Sequence, residues 1–446
     1  MTMKPRVLCL GFFVCSYFKD LKSIKELEEF RMIKKTGLGI LRSGLILILS
    51  GLAIIFSGIF SLAEAAPQAV LEVNGSQFYA ANRNTAYGGA SLTDTYAPLP
   101  VFFEGWKSSP RAEIVKYEWD FGVGAEEDEG GRYFSGFNAA HVYETPGTYT
   151  ATLTVTDSAG VTSLVAISIT VRSRANQPKY YVDSQLGNDS YDGLVMAEDP
   201  SYNSGTGHGP WKTADKAFFG LTNNFYIQRG FGTQILFKRG QVFDVTAGRV
   251  EVGNWATAAS WLFGAYGTGD KPIIKLTATG GNFNYLIYIT GCGVGFATFQ
   301  DLVFDCSTAS GNRANFFYDA GNIDNLLFLR VDIKKTANGI TLSGGKTDRI
   351  QTGIFIVGCT IYDTTWVSNF ATSSHYALLN SNFDLSGNHI NYLPYINCGV
   401  ISGNTFSRPA FGRCALRIDG ATPNPTNNIV VTYNNFLGWI LFVNLH

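Results

Sequence analysis

Charge is scarce in this sequence. Of 446 residues only 34 are Lys or Arg and 35 are Asp or Glu, 15% in all, and the formal net charge is −1. A chain so nearly neutral offers no cationic surface to a phosphate backbone, which argues against a nucleic-acid partner. Cysteine is scarce as well, with seven residues. Two of them, Cys9 and Cys15, precede the start of the expected mature chain. Cys292, Cys306, Cys359, Cys398 and Cys414 remain, an odd number at irregular spacing, which is not a disulfide framework. Cys292–Cys306 and Cys398–Cys414 are each near enough in sequence to close a short loop, but buried free thiols are the simpler reading. No CxxC or HxxxH spacing marks a zinc motif.

What the chain has instead is apolar and turn-rich. Hydrophobic residues make up 46%, aromatics 14%, and there are 49 glycines. That profile fits a packed β-rich fold with many turns and excludes disorder. The length allows two to four domains.

Residues 1–66 read as an N-terminal extension and signal peptide. Lys34, Lys35 and Arg42 precede an uncharged run from Gly44 to Ala63, and Ala63-Glu64-Ala65 supplies a small-residue cleavage site. The run is also long enough to span a bilayer, so an uncleaved membrane anchor is the alternative. Met32 opens a complete signal peptide by itself, which makes residues 1–31 candidates for an upstream start-site artefact. The mature part keeps 25 basic and 30 acidic residues, a net of −5. Such a surface does not attract acidic polysaccharide, so a uronate site needs its own cluster of cations.

Residues 67–173 read as short strands. Ala69–Val73, Leu99–Phe103, Val115–Phe121, Tyr149–Thr156 and Val165–Val171 are rich in β-branched and aromatic residues, separated by turns such as Asn74-Gly75, Pro146-Gly147 and Ala159-Gly160. Tyr149, Ala151, Leu153 and Val155 alternate with four threonines, the pattern of a half-buried antiparallel strand. An immunoglobulin-like sandwich is expected. Tyr117-Glu118-Trp119-Asp120-Phe121-Gly122, His141-Val142-Tyr143, Pro146-Gly147-Thr148-Tyr149 and Leu153-Thr154-Val155-Thr156-Asp157 follow in an order and spacing that resemble a PKD domain, over roughly residues 95–172. The sequence departs from that family at Val123-Gly124, where Asp-Gly is usual, and in the acidic loop Glu126–Glu129. The resemblance implies a spacer or carbohydrate-contacting module without catalysis. Trp119 and Tyr149 then belong to the core, and His141 packs at a strand end.

A polar linker, Arg172–Pro178, leads to residues 178–446. Tyr180-Tyr181-Val182-Asp183, Gly187-Asn188-Asp189, Asp192-Gly193, Pro210-Trp211-Lys212-Thr213, a short helical stretch Ala214–Gly220 and Gln234–Gly240 follow in order. This order resembles the opening of secreted parallel β-helix proteins, pectate-lyase-like polysaccharide lyases among them. The helix is expected to cover the open end of the first coil. Six segments then align without gaps: Ala297–Phe304, Leu326–Ile333, Ile354–Ile361, Tyr376–Phe383, Gly399–Phe406 and Ile429–Phe436. Their ends are spaced 29, 28, 22, 23 and 30 residues apart, one coil each with loops of variable length. The third position is apolar throughout (Phe299, Phe328, Ile356, Leu378, Ile401, Val431) and the last is always Phe or Ile. Both are expected to stack inside the coil at ~4.8 Å per rung. Cys359, Ser381, Asn404 and Asn434 share one position, and the asparagines read as an internal ladder that satisfies backbone groups. The fold class is therefore all-β: a PKD-like sandwich followed by a right-handed parallel β-helix. No polar cap follows Leu441–His446, so the helix is expected to be C-terminally truncated or covered by a partner.

A β-helix presents a long groove suited to an extended glycan. Hydrolysis needs two carboxylates, whereas β-elimination needs a base and a cation facing the uronate carboxylate, often calcium. The richest cluster is Arg408, Arg413, Arg417 and Asp419. Arg417 and Asp419 share one face of a strand, an arginine pair there would clamp a carboxylate, and a surface salt bridge is the alternative. Asp363 and Asp384, just past their core positions, are a candidate hydrolase pair or solvated loop carboxylates. His389 with Tyr392 is a candidate base or a loop contact. Asp183, Asp189 and Asp192 are a candidate calcium set or Asx turns in the cap. The expectation is a secreted protein that binds an extracellular glycan, uronate-containing by the lyase resemblance, with cleavage by lyase or glycosidase chemistry as an extension. The alternative is a non-catalytic surface or matrix-binding, adhesin-like protein. No motif names a reaction.

Overall fold

The computed structural model describes residues 66–73, 96–124, 131–219 and 232–246, and, from 249 to 443, the strands and short turns of each coil. The signal peptide or anchor, the Asn74-Gly75 turn, Glu126–Glu129, Cys292 and the side chains of Tyr392 and Asp419 lie outside the described residues.

The first module is a sandwich of two antiparallel sheets. One contains Glu72–Val73, Leu99–Glu104 and Asn138–Tyr143; the other contains Tyr133–Ser135, Ile114–Asp120, Gly147–Asp157 and Thr162–Val171. Strand alternation sends Val101, Phe103, Trp119, Phe121, Ala151, Leu153 and Val155 into one core. Trp119 lies buried with its indole N–H donating to Gly136 O at 2.7 Å. His141 is fully buried, stacked on Phe121 at 4.5 Å.

From Lys179 the chain coils through three parallel faces. Among the described residues the first face has nine strands, Lys179–Val182 to Asn427–Thr432; the second has eight, Val242–Val245 to Asn435–Leu437; the third has eight, Arg249–Gly253 to Trp439–Val443. This is a parallel β-helix. The six aligned segments fall into register as expected: Phe299, Phe328, Ile356, Leu378, Ile401 and Val431 are successive partners on the first face, and Phe304, Ile333, Ile361, Phe383, Phe406 and Phe436 on the second. Phe383, Phe406 and Phe436 stack at 5.1 and 5.0 Å. Earlier coils add Ile235 and Phe263 to the first column and Phe243 and Ile274 to the second. These escaped the gapless alignment because the turn between Phe263 and Ile274 is longer than that between Phe299 and Phe304.

The internal polar ladder is formed. Asn404 accepts from Ser381 N at 2.9 Å and donates to Leu378 O at 2.8 Å, Asn434 Oδ1 accepts from Asn404 N at 2.9 Å, and Ser381 Oγ accepts from Cys359 N at 3.1 Å. At the opposite end the helix Ala214–Phe219 closes the first coil. Phe218 packs on Phe263 at 5.4 Å and Phe237 at 5.7 Å, and Thr213 caps the helix through Lys216 N at 3.0 Å.

The bends use left-handed residues. Asp301, Arg330, Gly358, Asn380, Gly403 and Tyr433 follow the first face with φ between +49° and +71°; Lys335 and Arg408 follow second-face strands, and Asp363 and Leu385 lie near the ends of theirs, with φ between +48° and +55°. The residues among them other than Gly, Asn and Asp each cost about 1–2 kcal/mol of backbone strain, offset by the rung-to-rung hydrogen bonds the turn permits. Cys306, Cys359, Cys398 and Cys414 are free thiols, so the Cys398–Cys414 loop closure does not occur. Burial pushes the Cys306 and Cys359 thiols up to about 12.

The sandwich is docked on the first face. Even-numbered Phe102, Ala140 and Val142 point away from the sandwich core and pack against Leu327, Leu329, Phe355, Val357, Ala377, Leu379 and Val400. The runs Leu326–Leu329, Ile354–Val357 and Tyr376–Leu379 are apolar at every residue, the signature of a sheet buried on both sides. The linker joins the dock: Arg174 is buried, donates from Nη1 to Gly232 O at 3.1 Å, and lies over the Tyr96 ring at 5.5 Å.

Candidate functional site

With the first face covered, the second face carries an open row of side chains. Two outward columns flank its apolar column. The first runs Val303, Asp332, Thr360, Asn382, Thr405 and Asn435; the second runs Lys275, Asp305, Lys334, Tyr362, Asp384 and Ser407. Successive members repeat at ~4.8 Å because they sit on successive rungs. A groove of about 460 Å³ lies over the upper half, walled by Lys271, Asp332, Lys334, Thr360 and Tyr362.

The groove is built from paired charges around an aromatic ring. Lys271 Nζ lies 3.1 Å from Asp332 Oδ1, and Lys334 Nζ lies 3.1 Å from Asp305 Oδ2. Tyr362 is 36% exposed, between Lys334 on one rung and Asp384 on the next. Burial works to raise the Asp305 carboxyl, but Ser307 and Lys334 outweigh it and hold the group below the usual carboxylate range. Arg408, from the bend after the next rung, donates from Nε to Asp384 Oδ1 at 2.7 Å and also pairs through Nη2. That pairing holds the Asp384 carboxyl low. A carboxylate held low is a poor proton donor at neutral pH. The row thus offers cations, hydrogen-bonding groups and one aromatic face to a linear ligand.

The sequence-predicted residues distribute unevenly. Asp384 is in the row. Asp363 is exposed within the strand Thr360–Thr364, a left-handed residue, φ +55°, one position past Tyr362 and so next to the row rather than in it. His389 is buried at 5% exposure, and its Nδ1 accepts from Cys414 N at 2.9 Å while Nε2 lies 3.5 Å from Arg417 Nη1. The structure thus brings His389 and Arg417 together, which the sequence did not suggest. Arg413 is exposed in the turn before the strand Cys414–Asp419, which carries the half-buried Arg417.

Asp183, Asp189 and Asp192 are each committed to the cap. Asp183 accepts from Gln185 N and Leu186 N at 3.0 Å, Asp189 from Thr213 Oγ1 at 2.7 Å, and Asp192 from Leu194 N at 3.0 Å. Asp183 and Asp192 form Asx-type turns, Asp189 ties the loop to the helix start at Thr213, and the three do not form a metal cluster.

Sequence reasoning missed Lys271, Asp332, Lys334 and Tyr362. The signal was available: they sit one residue to either side of the aligned Phe/Ile column, or in the turn before it, and alternation alone turns them outward.

The family model of the PKD domain matches residues 91–171. Similar solved structures include the PKD1 domain of Vibrio anguillarum Epp, 25% identical over 25% of this chain and 98% of that one, TM-score 0.16. The PKD1 domain of the Vibrio cholerae metalloprotease PrtV is 26% identical over 24% of this chain and 96% of that one, TM-score 0.16. A Yersinia enterocolitica family 28 exopolygalacturonase is 9% identical over 85% of this chain and 96% of that one, TM-score 0.23. Residues 91–171 are a PKD domain, and it is followed by a parallel β-helix.

Proposed function

We propose that this chain is an exported glycan-binding protein that holds an extended, uronate-containing polysaccharide along the second face of its β-helix. The observation that carries the reading is the placement of Tyr362 between Lys334 and Asp384 in one outward column of a rung-by-rung row. A sugar ring stacks on the exposed phenol face, as amphipathic ligand surfaces do on aromatic side chains. Lys271 and Lys334 pair with uronate carboxylates, exchanging partners with Asp332 and Asp305. This is the local cation cluster that a mildly acidic protein needs for such a ligand. Because the cations are already paired, the selectivity is modest and salt-sensitive. Export rests on the n-region, apolar run and small-residue site of residues 34–66.

Cleavage is a second reading, favoured by the approach of Arg417 to His389 on the third face. An arginine beside an imidazole suits β-elimination. His389 Nδ1 accepts a backbone N–H, so a neutral ring carries its proton on Nε2 and the role of base falls to Arg417.

The purified protein incubated with polygalacturonate, alginate and neutral polysaccharides, with and without calcium, separates these readings. Retention on uronate polymers in affinity electrophoresis without reducing-end release supports binding alone. Release with ultraviolet absorbance of unsaturated uronate supports the lyase. Release without that absorbance points to hydrolysis at Asp363 and Asp384. No retention and no release contradicts both readings and leaves a structural role.

A further inference from the structure

We propose that Glu104, His375 and Cys398 form a zinc site that fastens the PKD domain to the β-helix. Glu104 ends a strand of the sandwich, while His375 and Cys398 lie on adjacent strands of the first face. Their ligand atoms all lie within 4.8 Å of one another. Glu104 and Cys398 are 4% and 3% exposed, and the His375 side chain is 14% exposed.

Two features fix this arrangement. The first is register. Ser374 pairs with Asn397 and Tyr376 with Gly399, so His375 and Cys398 occupy one position on neighbouring rungs. The rungs above and below carry Gly353 and Asn428 at that position, and all four residues have positive φ, from +54° to +73°. Glycine and asparagine accept that backbone readily; histidine and cysteine do so at a cost, and they do it at the two rungs that meet Glu104. The second feature is the outer hydrogen-bonding shell. Ser374 Oγ lies 2.9 Å from His375 Nδ1, leaving Nε2 to face the cluster, and Trp106 Nε1 donates to Glu104 Oε2 at 3.1 Å, leaving Oε1 to face it. Ligating imidazoles and carboxylates are oriented in this way by partners on their other atom.

The donor set selects the metal. A thiolate, an imidazole and one carboxylate oxygen suit zinc and not calcium or magnesium, which require oxygen ligands. Three protein ligands leave the fourth tetrahedral position to water. Without an ion, His375 Nε2 and Glu104 Oε1 are hydrogen-bonded at 2.5 Å. Zinc takes the Nε2 lone pair, with the ring proton on Nδ1 held by Ser374 Oγ, and displaces the Cys398 thiol proton, which is released to solvent. The nearby Lys107 is neutralised by Glu72 at 2.5 Å. No spacing motif marks the site, because its ligands are brought together from two modules.

The test is titration of the chelator-stripped full-length protein with zinc and with cobalt(II). We expect one zinc per chain and, with cobalt, a thiolate charge-transfer absorbance. Cys398→Ser abolishes that absorbance, and His375→Gln and Glu104→Gln each weaken zinc binding by at least about 100-fold, more than loss of an outer-shell partner brings. Cys414→Ser leaves both signals unchanged. Should Cys398→Ser fail to fold, by circular dichroism, the His375→Gln titration decides. Absence of stoichiometric zinc in the wild type, or a cobalt–thiolate absorbance that survives in both Cys398→Ser and His375→Gln, overturns the proposal.

Discussion

Arg330 of the β-helix donates from Nη1 to both carboxylate oxygens of Glu144 in the PKD domain at 2.7 Å, while its Nε reaches Asp301 Oδ1 at 2.8 Å. Burial works to lower the guanidinium pKa, and the two carboxylates more than reverse it. The bridge is polar, partly buried and spans the two modules, so it reports on docking. Arg330→Ala is expected to cost about 2 kcal/mol, since it removes the charged hydrogen bonds that tie Glu144 to the β-helix. In thermal unfolding followed at several wavelengths, the wild type shows one transition and the variant a lowered or split one. An unchanged single midpoint contradicts the docking account.

Gly136 tests the same contact sterically. A Cβ there would lie 2.9 Å from Val430 Cγ1 of the last described first-face strand, at a backbone φ of +154°. Gly136→Ala must shift one module or the other and is expected to cost about 1–3 kcal/mol. Equilibrium urea unfolding measures it, and Val430→Ala, which removes the obstructing methyls, should restore part of the loss.

The internal ladder gives a third prediction. Asn404→Ala leaves Ser381 N and Leu378 O without their partner inside the coil. Buried groups left unmet cost about 1–3 kcal/mol each. The variant is expected to lose about 3 kcal/mol by urea unfolding, whereas substitution of the exposed Asn382 on the outer column changes stability little.

This ladder was legible in the sequence because six coils share one gapless core, so Asn404 and Asn434 stand in the same place as Ser381 and Cys359. The stacked Phe and Ile columns were legible for the same reason. What was not legible depends on contacts between modules. Leu327, Phe355 and Ala377 were visible as apolar residues out of phase with the core, yet only the sandwich explains what they bury against. Glu104 and His375 are far apart in sequence, and neither carries a local motif. The candidate chemistry was read from charged residues near each other in sequence, Arg413, Arg417 and Asp419, whereas a β-helix gathers its groups across rungs. Lys334 and Tyr362 are neighbours through a parallel ladder and separate in the chain. Asp363 and Asp384 looked equivalent, but Asp384 is a member of the row, whereas Asp363 is a left-handed residue one position past the row residue Tyr362.

Asp183 gives a pH dependence. Burial works to raise its carboxyl, but Lys238 at 2.8 Å, the Leu186 and Gln185 N–H groups and Gln241 hold it below 3.8. The unfolded chain therefore binds the proton more tightly than the folded one. The stability it contributes is fully present above about pH 4 and is lost as pH falls through the folded-state value. Asp183→Asn is expected to cost about 2 kcal/mol at neutral pH, because it removes one of the two carboxylates that pair with Lys238 and leaves Glu198 as the other, and to flatten the acid limb. Urea midpoints measured from pH 3 to pH 7 for both proteins show whether the two curves converge on acidification. Parallel curves contradict the assignment.

The most direct test of the central claim is the affinity of the protein for polygalacturonate, measured by calorimetry at low and moderate salt, against that of Tyr362→Ala and Lys334→Ala. Loss of one stacked ring is expected to weaken binding by about 10-fold. Loss of Lys334 should weaken it less and reduce the salt dependence. Neutral polysaccharide should respond to the Tyr362 change alone. Wild-type affinity in both variants, with their fold intact, would place the glycan elsewhere and contradict the second-face groove as its site.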